Sequence, residues 1–345
     1  MRGRIFLLLL VLLATLRLVD MAAHHNFYDP GPLPATVAVV IPPGGSAEVA
    51  ATLQKDGATS HPLLFRAAAW LTRKDGPLHA GEYLVPARAS LADILHILRH
   101  GLPVQHQVTF PEGLTSAQIA KILNTTPAAS GTVAPPPQGA VLPQTYDFVR
   151  GEPRQAILAR AAKAMRQKLA TAWAGRDTTV PLASAQQALI LASIVQAESP
   201  EPAEFPEIAA VYENRLAKGM KLQADPTVIF ASSAGETSGG VPISRTDLTN
   251  PSPYNTYAHS GLPPGPICAP GLAAITAVLH PAASKALYFV ATGHGGHVFS
   301  DSFQGQLKNI EVYRESQKEN PGTRVPGFDL AAKETGSARG SPRRD

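Results

Sequence analysis

The chain has 345 residues, which is enough for two or three domains, and 44% of them are hydrophobic, which is ample for a core. Its net charge of +4 is small and its basic residues do not gather in one stripe, which argues against a nucleic-acid-binding protein. A single cysteine, Cys268, excludes an internal disulfide and a metal cluster built on cysteines.

The first residues predict that the bulk of the chain lies outside the cytoplasm. A positively charged head, residues 1–4, precedes a run from Ile5 to Leu16 that is apolar apart from one threonine. A cleaved signal peptide fits the length of this run, and residues 21–23 resemble a small-residue cleavage region. A single transmembrane anchor over residues 5–23, with Arg17 reaching the interface, fits as well. In either case the positive-inside rule keeps the head in the cytoplasm.

Short strands and helices alternate through the first half of the chain. After a linker over residues 24–35, the patterns predict strands at 36–41, 81–86 and 105–110 and helices at 46–53, 62–73, 90–99 and 116–123. The strand, turn and helix from Val39 to Ala50 are echoed from Val108 to Ala120. Such units are typical of modules that bind polymers in a groove, and an ordinary α+β subdomain explains them too.

A Pro-rich stretch over residues 125–138 predicts a mobile loop or linker. Beyond it, the patterns predict helices at 155–173, 184–200, 206–219, 272–279 and 304–317, with strands at 286–291 and from 297 onwards. The helix from Pro206 carries an apolar stripe of Ile208, Val211, Tyr212 and Leu216. The polar tail beyond Asn320 is expected to be disordered. Helices and short strands together predict the α+β fold class.

The helix over residues 184–200 places a carboxylate in an unusual position. Ser184 is a good N-cap and Gln187 completes a capping box, while Glu198 shares one face with apolar residues, namely Leu191, Ile194 and Val195. Burial on that face and the negative end of the helix dipole both raise the pKa of Glu198. A raised pKa suits a general acid near neutral pH, although a carboxylate that pairs with an arginine or caps a helix has the same pattern.

The long stretch from Asn250 to Gly271 has no periodicity of its own and is dense in turn residues. Loops of this length are usually functional or disordered. Aromatic rings and hydrogen-bonding groups come together within it, at Tyr254, Asn255, Thr256 and Tyr257. Because a sugar presents an apolar face and hydroxyl edges, this combination favours sugar binding.

Other chemistries are less well supported. Cys268 lies between prolines in a loop and is interpreted as a small buried hydrophobe in preference to a nucleophile. Three histidines, His280, His294 and His297, could bind zinc, but turn geometry alone explains the glycines around the last two. No metal or cofactor is therefore expected.

Glycoside hydrolases commonly need two carboxylates, one as acid and the other as base or nucleophile. Near Glu198 the sequence offers only Asp225 as a partner, and an aspartate before a proline is also expected in a turn. A single glutamate could instead protonate the glycosidic oxygen and then deprotonate a hydroxyl of the same sugar. That reaction is an intramolecular transglycosylation.

Several ordered motifs resemble the endolytic murein transglycosylases of the MltG/YceG-like family. The matching segments are LASIVQAE from Leu191, VYENRLAKGMKLQADPTVIF from Val211, YNTYAHSGLPPGPICAPG from Tyr254, HPA from His280 and LYFVATGHGGHVFS from Leu287. More loosely, VTFPEGLTSAQIAKIL from Val108 resembles part of the LysM-like peptidoglycan-binding subdomain of that family.

The resemblance implies an N-terminal anchor, a LysM-like subdomain over residues 36–124 and a mixed α/β catalytic domain over 139–318, on the outer side of the bacterial plasma membrane. It implies internal cleavage of the β-1,4 bond between N-acetylmuramic acid and N-acetylglucosamine in nascent glycan strands, a lyase reaction that leaves 1,6-anhydro ends and limits strand length. It assigns catalysis to Glu198. It also implies a glycan cleft lined by Gln223, Asp225, Asn255, Thr256 and Tyr257.

The family often has a second acidic residue two positions before the catalytic glutamate, where this chain has Gln196.

The implied partners are peptidoglycan strands, membrane lipid through the N-terminal helix and peptidoglycan synthases. Two alternatives remain open from the residues alone. One is a non-catalytic wall-binding or scaffold protein, and the other is a zinc hydrolase built on the three histidines.

Overall fold

The structure is a computed structural model that describes residues 2–292 and 296–319. Helices and short two-stranded sheets alternate through these residues, which confirms the predicted α+β class. His294, one of the three histidines considered as zinc ligands, lies outside the described residues. So does the tail from Asn320, which is expected to be disordered.

The helices of the described residues are α1 (Arg2–Tyr28), α2 (Ser46–Lys55), α3 (Pro62–Leu71), α4 (Leu91–His100), α5 (Ser116–Thr125), α6 (Arg154–Ala174), α7 (Ala185–Glu198), α8 (Phe205–Ala217), α9 (Asp225–Ser232), α10 (Arg245–Leu248), α11 (Leu272–Leu279) and α12 (Phe303–Glu319). The strands are β1 (Val37–Ile41), β2 (Gly81–Val85), β3 (Gln105–Thr109), β4 (Thr145–Val149), β5 (Tyr288–Ala291) and β6 (His297–Ser300). They pair as β1 with β2, β3 with β4 and β5 with β6. The first and third pairs are antiparallel, with Val39 opposite Tyr83 and Phe289 opposite Phe299.

The N-terminal segment forms the continuous helix α1, which runs past residue 24, where the linker was expected to begin, to Tyr28. In the part of the chain that the structure describes, no helix combines the length and the apolar character that a membrane crossing requires. The transmembrane anchor expected over residues 5–23 is therefore not confirmed.

The chain divides into two compact units. The first comprises the described residues up to Gln107 together with Ala128–Ser130 and Asp147–Glu152. Its core lies between the β1–β2 sheet and helices α2, α3 and α4, with the largest buried side chains from Tyr83, Phe65, Leu53, Ile94 and Leu98. Ser90 and Asp93 cap α4 reciprocally, with the Asp93 amide donating to Ser90 Oγ at 3.1 Å and the Ser90 amide donating to Asp93 Oδ2 at 2.9 Å.

The second unit comprises Val108–Pro127, Gly131–Tyr146 and the described residues from Pro153 onwards. Helix α7 lies at its centre and contacts α6, α8, α9 and α11. Every residue from Ala188 to Val195 is buried, so the predicted single apolar face is too narrow a description of this helix. A helix that is apolar on all sides belongs to the interior of a fold, and its end is the place where a polar side chain can reach solvent.

The start of α7 differs from the predicted capping box in one bond. Ser184 Oγ accepts the amide of Gln187 at 3.2 Å, as expected for an N-cap. The Gln187 side chain, however, accepts the amide of Ala183 at 2.7 Å, one residue before the cap. The helix still begins where the sequence predicted, and it ends at Glu198 with Ser199 as its C-cap.

The Pro-rich stretch after α5 is held by side chains, contrary to the mobile loop that its composition predicted. Arg154 donates to the carbonyls of Leu123, Gly131 and Thr126 at 2.6–2.7 Å. Asn124 bonds both the amide and the carbonyl of Val133 at 2.9 Å. Gln138 accepts the amide of Ser116 and donates to the carbonyl of Ile267, each at 2.8 Å. Side chains thus add to the few backbone hydrogen bonds of this segment, such as the one from the Ser130 amide to the Glu152 carbonyl at 2.9 Å.

Candidate active site

The second unit contains a cavity of about 320 Å³ at the end of α7. Helices α8 and α12, the start of α9, the loops on either side of α10 and the β5–β6 sheet form its walls. The polar side chains that line it are Glu198, Tyr212, Arg215, Gln223, Asp225, Tyr257, Tyr288, His297 and Gln306. The cavity therefore brings together Glu198 and three of the five residues that the family resemblance placed in a glycan cleft.

Glu198 is the last residue of α7 and is half-buried at the cavity wall. Burial raises the pKa of its carboxyl to about 8, and the negative charge of Asp225 adds to this effect. A hydrogen bond from Tyr212 and the positive charge of Arg215 act in the opposite direction. The upward shift predicted from the helix pattern is confirmed, with burial as its main cause. Most Glu198 side chains are therefore protonated at neutral pH.

Tyr212 is the hydrogen-bond partner of Glu198. Its hydroxyl donates to Glu198 Oε1, and its ring packs edge-on against Phe289 of β5, with 5.8 Å between ring centroids. The sequence placed Tyr212 only in the apolar stripe of its helix. The direction of the hydroxyl depends on how α8 packs on α7, and no local pattern specifies that packing.

A second carboxyl with a tyrosine partner lies in the same cavity. Asp225 is the first residue of α9, and the hydroxyl of Tyr257 donates to its Oδ1 at 2.6 Å. Burial raises the pKa of Asp225 above its ordinary value, while the Tyr257 hydrogen bond lowers it. The cavity thus holds two carboxyls, each bonded to the hydroxyl of a tyrosine from another segment.

Arg215 provides the positive charge of the cavity wall. Its guanidinium donates to the carbonyls of Leu287 and Leu222, each at 2.7 Å, and lies 5.2 Å from the ring centroid of Tyr288. Gln223 is exposed next to it and has a positive φ of 52°, an uncommon conformation for a residue other than glycine. Strained backbone of this kind is often found at functional sites.

His297 lines the cavity beside a third carboxylate, Glu204. The Nδ1 atom of His297 lies 2.7 Å from Glu204 Oε2. The backbone amide of His297 donates to Glu204 Oε1 at 2.6 Å. Ser199, the residue after Glu198, donates to Glu204 Oε2 at 2.8 Å. Burial raises the pKa of Glu204, but these hydrogen bonds outweigh it and the net shift is downward. Glu204 is therefore a bonded anion.

A model of the YceG-like family matches residues 39–312. The chain belongs to the YceG-like family. A crystal structure of a YceG-like protein from Listeria monocytogenes is similar to it, with 28% identity, a TM-score of 0.50 and coverage of 79% of this chain and 98% of that one. The resemblance inferred from the sequence motifs is confirmed.

Two curated relatives are both named endolytic murein transglycosylase. The protein from Bacillus subtilis (strain 168) is 39% identical over 136 residues, which cover 39% of this chain and 37% of the relative. The protein from Streptococcus pneumoniae serotype 2 strain D39 is 26% identical over 313 residues, which cover 76% of this chain and 55% of the relative. This YceG-like chain thus spans little more than half the length of the second relative and less of the first.

Asn255 and Thr256 of this YceG-like chain do not line the cavity. Both are buried, and their side chains form hydrogen bonds with the backbone of residues that neighbour or line the cavity. Asn255 donates to the carbonyls of Leu248 and Asn250 at 3.0 and 2.8 Å and accepts the amide of Tyr257 at 2.9 Å. Thr256 accepts the amide of Ala224 at 2.9 Å. These two residues therefore position the neighbours of Asp225 and Tyr257.

Gln196 also lies outside the cavity lining. Its Oε1 accepts the amide of Gly271 at 2.9 Å, at the start of α11. The side chain two residues before Glu198 thus ties α7 to α11. This contact is structural.

The alternative nucleophile and metal sites receive little geometric support. Cys268 is fully buried, its Sγ lies 3.1 Å from the carbonyl of Ser193, and burial raises its pKa to about 12, so it stays a thiol. Of the three proposed zinc ligands, His280 is exposed and His297 faces Glu204. Within residues 2–292 and 296–319, no three histidine, cysteine or acidic side chains are grouped to hold a metal ion.

Proposed function

We propose that this chain is an endolytic peptidoglycan lytic transglycosylase in which Glu198 is both acid and base. The observation that carries the proposal is the position of Glu198, a half-buried carboxyl in a polar cavity with a pKa of about 8. A carboxyl that is protonated near neutral pH and reaches a cavity can deliver a proton to a substrate. The names of the two curated relatives support the choice of peptidoglycan as that substrate.

The proposed reaction balances on a single carboxyl. Protonated Glu198 gives its proton to the glycosidic oxygen, and the bond from that oxygen to the anomeric carbon of N-acetylmuramic acid breaks. The resulting carboxylate takes the proton of the 6-hydroxyl of the same sugar, whose oxygen bonds to the anomeric carbon. The products are a 1,6-anhydro end and a new hydroxyl on N-acetylglucosamine. Glu198 ends protonated, ready for another cycle, and no water is consumed.

Three further residues are proposed to contact the glycan. Gln223, Asp225 and Tyr257 line the same cavity as Glu198 and offer amide, carboxyl and hydroxyl groups to sugar hydroxyls. Arg215 places a fixed positive charge beside Glu198, which favours the carboxylate after the proton has been given away. Asn255 and Thr256 do not contact the glycan in this proposal. Their hydrogen bonds stabilise the loop that carries Tyr257.

One observation favours hydrolysis as a second candidate reaction. Asp225 lies in the cavity with Glu198, and a pair of carboxyls is the usual equipment of a glycoside hydrolase. In that reaction Asp225 would activate a water molecule, and the cut strand would end in a reducing sugar. To activate water, Asp225 would have to accept a hydrogen bond from that water on a carboxylate oxygen. Its Oδ1 already accepts the hydroxyl of Tyr257, which favours the lyase reaction.

The remaining parts of the proposal rest on the family resemblance. We assign the first unit a LysM-like role in holding peptidoglycan, place the catalytic domain outside the cytoplasm and expect peptidoglycan synthases and membrane lipid as partners. If the cavity is inert, the same chain would act as a wall-binding scaffold.

Mass spectrometry of digested sacculi separates these functions. The full chain is incubated with purified peptidoglycan, and the released fragments and strand ends are analysed by mass. A lyase yields 1,6-anhydro ends that are lighter by one water than the reducing ends of a hydrolase. Internal cuts yield long fragments, whereas trimming from strand ends yields disaccharides. Binding without any released fragment would contradict the enzymatic proposal and favour the scaffold.

A further inference from the structure

Helix α3 of the first unit is apolar on its exposed face as well as on its buried face. The buried face contributes Phe65, Ala68 and Ala69 to the core. On the opposite face, Leu63 and Trp70 are seven residues apart, two helical turns, and are 73% and 63% exposed. Leu71 beside them is 68% exposed. Since surface helices normally carry polar residues on their outer face, this face has the composition of a binding surface.

Positive charges surround the exposed leucines and tryptophan. Arg66 is exposed on the same face of α3, and Arg73 and Lys74 are exposed just beyond its end. The Arg73 guanidinium lies 4.5 Å from the centroid of the Trp70 ring and donates to the Trp70 carbonyl at 2.9 Å. Residues 62–74 contain no aspartate or glutamate. The α3 face, defined by Leu63, Arg66, Trp70, Leu71, Arg73 and Lys74, therefore has an apolar centre and a cationic rim.

The end of α3 is fixed by contacts from another helix of the same unit. Arg99 of α4 donates to the carbonyl of Ala69 at 3.2 Å and to the hydroxyl of Thr72 at 2.9 Å. Asp75, the first acidic residue after the helix, lies 3.7 Å from the same guanidinium. The α3 face is thus preformed, and the first acidic residue that follows it in the chain is already paired. A preformed surface loses little conformational entropy on binding.

We propose that the α3 face binds an anionic lipid surface. Tryptophan favours the boundary between lipid headgroups and acyl chains, and the leucines beside it can enter the apolar layer. Arginine and lysine on the rim pair with lipid phosphates. A hydrated glycan suits the face less well, because leucine offers no hydrogen bond and the three cations offer donors alone. A soluble polyanion would pair with the cations but leave the leucines in water.

Tryptophan fluorescence tests this contact directly, because the chain has only Trp70 and Trp173. The full chain with Trp173→Phe reports on Trp70 alone. When it is mixed with vesicles of equal parts phosphatidylglycerol and phosphatidylcholine, its emission should move to shorter wavelength and be quenched by brominated acyl chains. Unchanged emission would overturn the proposal, even if the chain sediments with the vesicles through another segment. The converse variant, Trp70→Phe, should show neither effect.

Matched variants separate the rim charges from the overall charge of the chain. In the Trp173→Phe background, Arg66→Gln with Lys74→Gln should weaken vesicle binding about fivefold per charge removed. The control pair, Lys55→Gln with Lys168→Gln, removes the same charge from exposed positions on α2 and α6 and should leave binding unchanged. Equal losses in both pairs would overturn the proposal, as would a shift of emission with purified sacculi and none with vesicles.

Discussion

The hydroxyl of Tyr212 donates a hydrogen bond to Oε1 of Glu198 and joins α8 to the last turn of α7. Tyr212 is only 2% exposed, so the bond is shielded from water. Burial and then the Glu198 carboxyl raise the pKa of Tyr212 well above its ordinary value, so Tyr212 remains a donor. The same bond favours the ionised form of Glu198 and limits the rise in its pKa caused by burial.

Replacement of Tyr212 by phenylalanine should therefore raise the pKa of Glu198 above about 8. A general acid works in its protonated form, so activity falls as pH rises through its pKa. The basic limb of the pH–rate profile should move to higher pH by about one unit, because a hydrogen bond to a charged group contributes about 1.5 kcal/mol. The measurement is the rate of glycan cleavage as a function of pH.

Tyr146→Phe is the matched control for this variant. Tyr146 is also buried, and its hydroxyl donates to the carbonyl of Leu142 at 2.8 Å, but it does not line the cavity. Both variants should lose about 1 kcal/mol of stability through the lost hydrogen bond. Only Tyr212→Phe should change the pH profile. Identical profiles for Tyr212→Phe and the unmodified chain would show that the hydroxyl does not act on the catalytic proton.

Asp225→Asn distinguishes the two candidate reactions. In the lyase reaction Asp225 only contacts the sugar, so the variant should still produce 1,6-anhydro ends, with KM raised more than kcat is lowered. In hydrolysis Asp225 would be the base, and its loss should reduce the rate about 100-fold or more. Persistent anhydro ends from the variant support the lyase. Reducing ends from the unmodified chain that disappear in the variant support the hydrolase.

The sequence predicted the position and the pKa direction of Glu198 because both follow from local features. The Ser184 cap sets the start of α7, and helical spacing places Glu198 among buried residues. The sequence did not predict the hydrogen bond from the Tyr212 hydroxyl to Glu198 or the pairing of Glu204 with His297. Each of these contacts joins segments that meet only in the folded chain.

Composition misled the prediction at two places. The Pro-rich stretch over residues 125–138 has few residues that form regular structure. Arg154 nevertheless donates hydrogen bonds to three carbonyls within and before it. Composition alone does not reveal such a contact from a distant residue. Asn255 and Thr256 have the chemistry of sugar contacts, but the fold uses both side chains internally. The bond from the Tyr257 amide to Asn255 Oδ1 is an Asx turn, a local signal that the sequence did contain.

Asn255→Ala should destabilise the fold and leave the chemistry intact. The variant leaves the buried carbonyl of Leu248 and the partly buried carbonyl of Asn250 without their donor, which costs about 1–3 kcal/mol. Thermal unfolding should show a lower Tm, and kcat per folded molecule should stay within a few-fold of the unmodified value. A variant of unchanged Tm that has lost activity would instead place Asn255 in contact with the glycan.

Glu213 should make the stability of the chain depend on pH. It is 5% exposed, its Oε1 has no hydrogen-bond partner among the described residues, and burial raises its pKa to about 8 from an ordinary 4.5. A carboxyl with a raised pKa stabilises the fold fully below its unfolded pKa, and this contribution is lost as pH rises through the folded value. Stability should therefore decrease between about pH 5 and pH 8.

Glu213→Gln tests this dependence by removing the titration. The compared quantity is the free energy of unfolding of the variant minus that of the unmodified chain. This difference should be larger at pH 8 than at pH 5 by more than about 1 kcal/mol. Denaturant unfolding at the two pH values measures it. Glu207→Gln, on the same helix but partly exposed, is the control and should show a much smaller change. A flat difference for Glu213→Gln would mean that Glu213 is ionised in the folded chain.

Glycan cleavage by Glu198→Gln tests the central claim most directly. Glutamine keeps the shape of the side chain but cannot transfer the proton, so cleavage of purified sacculi should fall by about 100-fold or more while the chain still binds them. Glu201→Gln, an exposed carboxyl three residues further on, should cleave normally. If Glu198→Gln released anhydro ends at the rate of the unmodified chain, Glu198 would not be the acid and base of the proposed reaction.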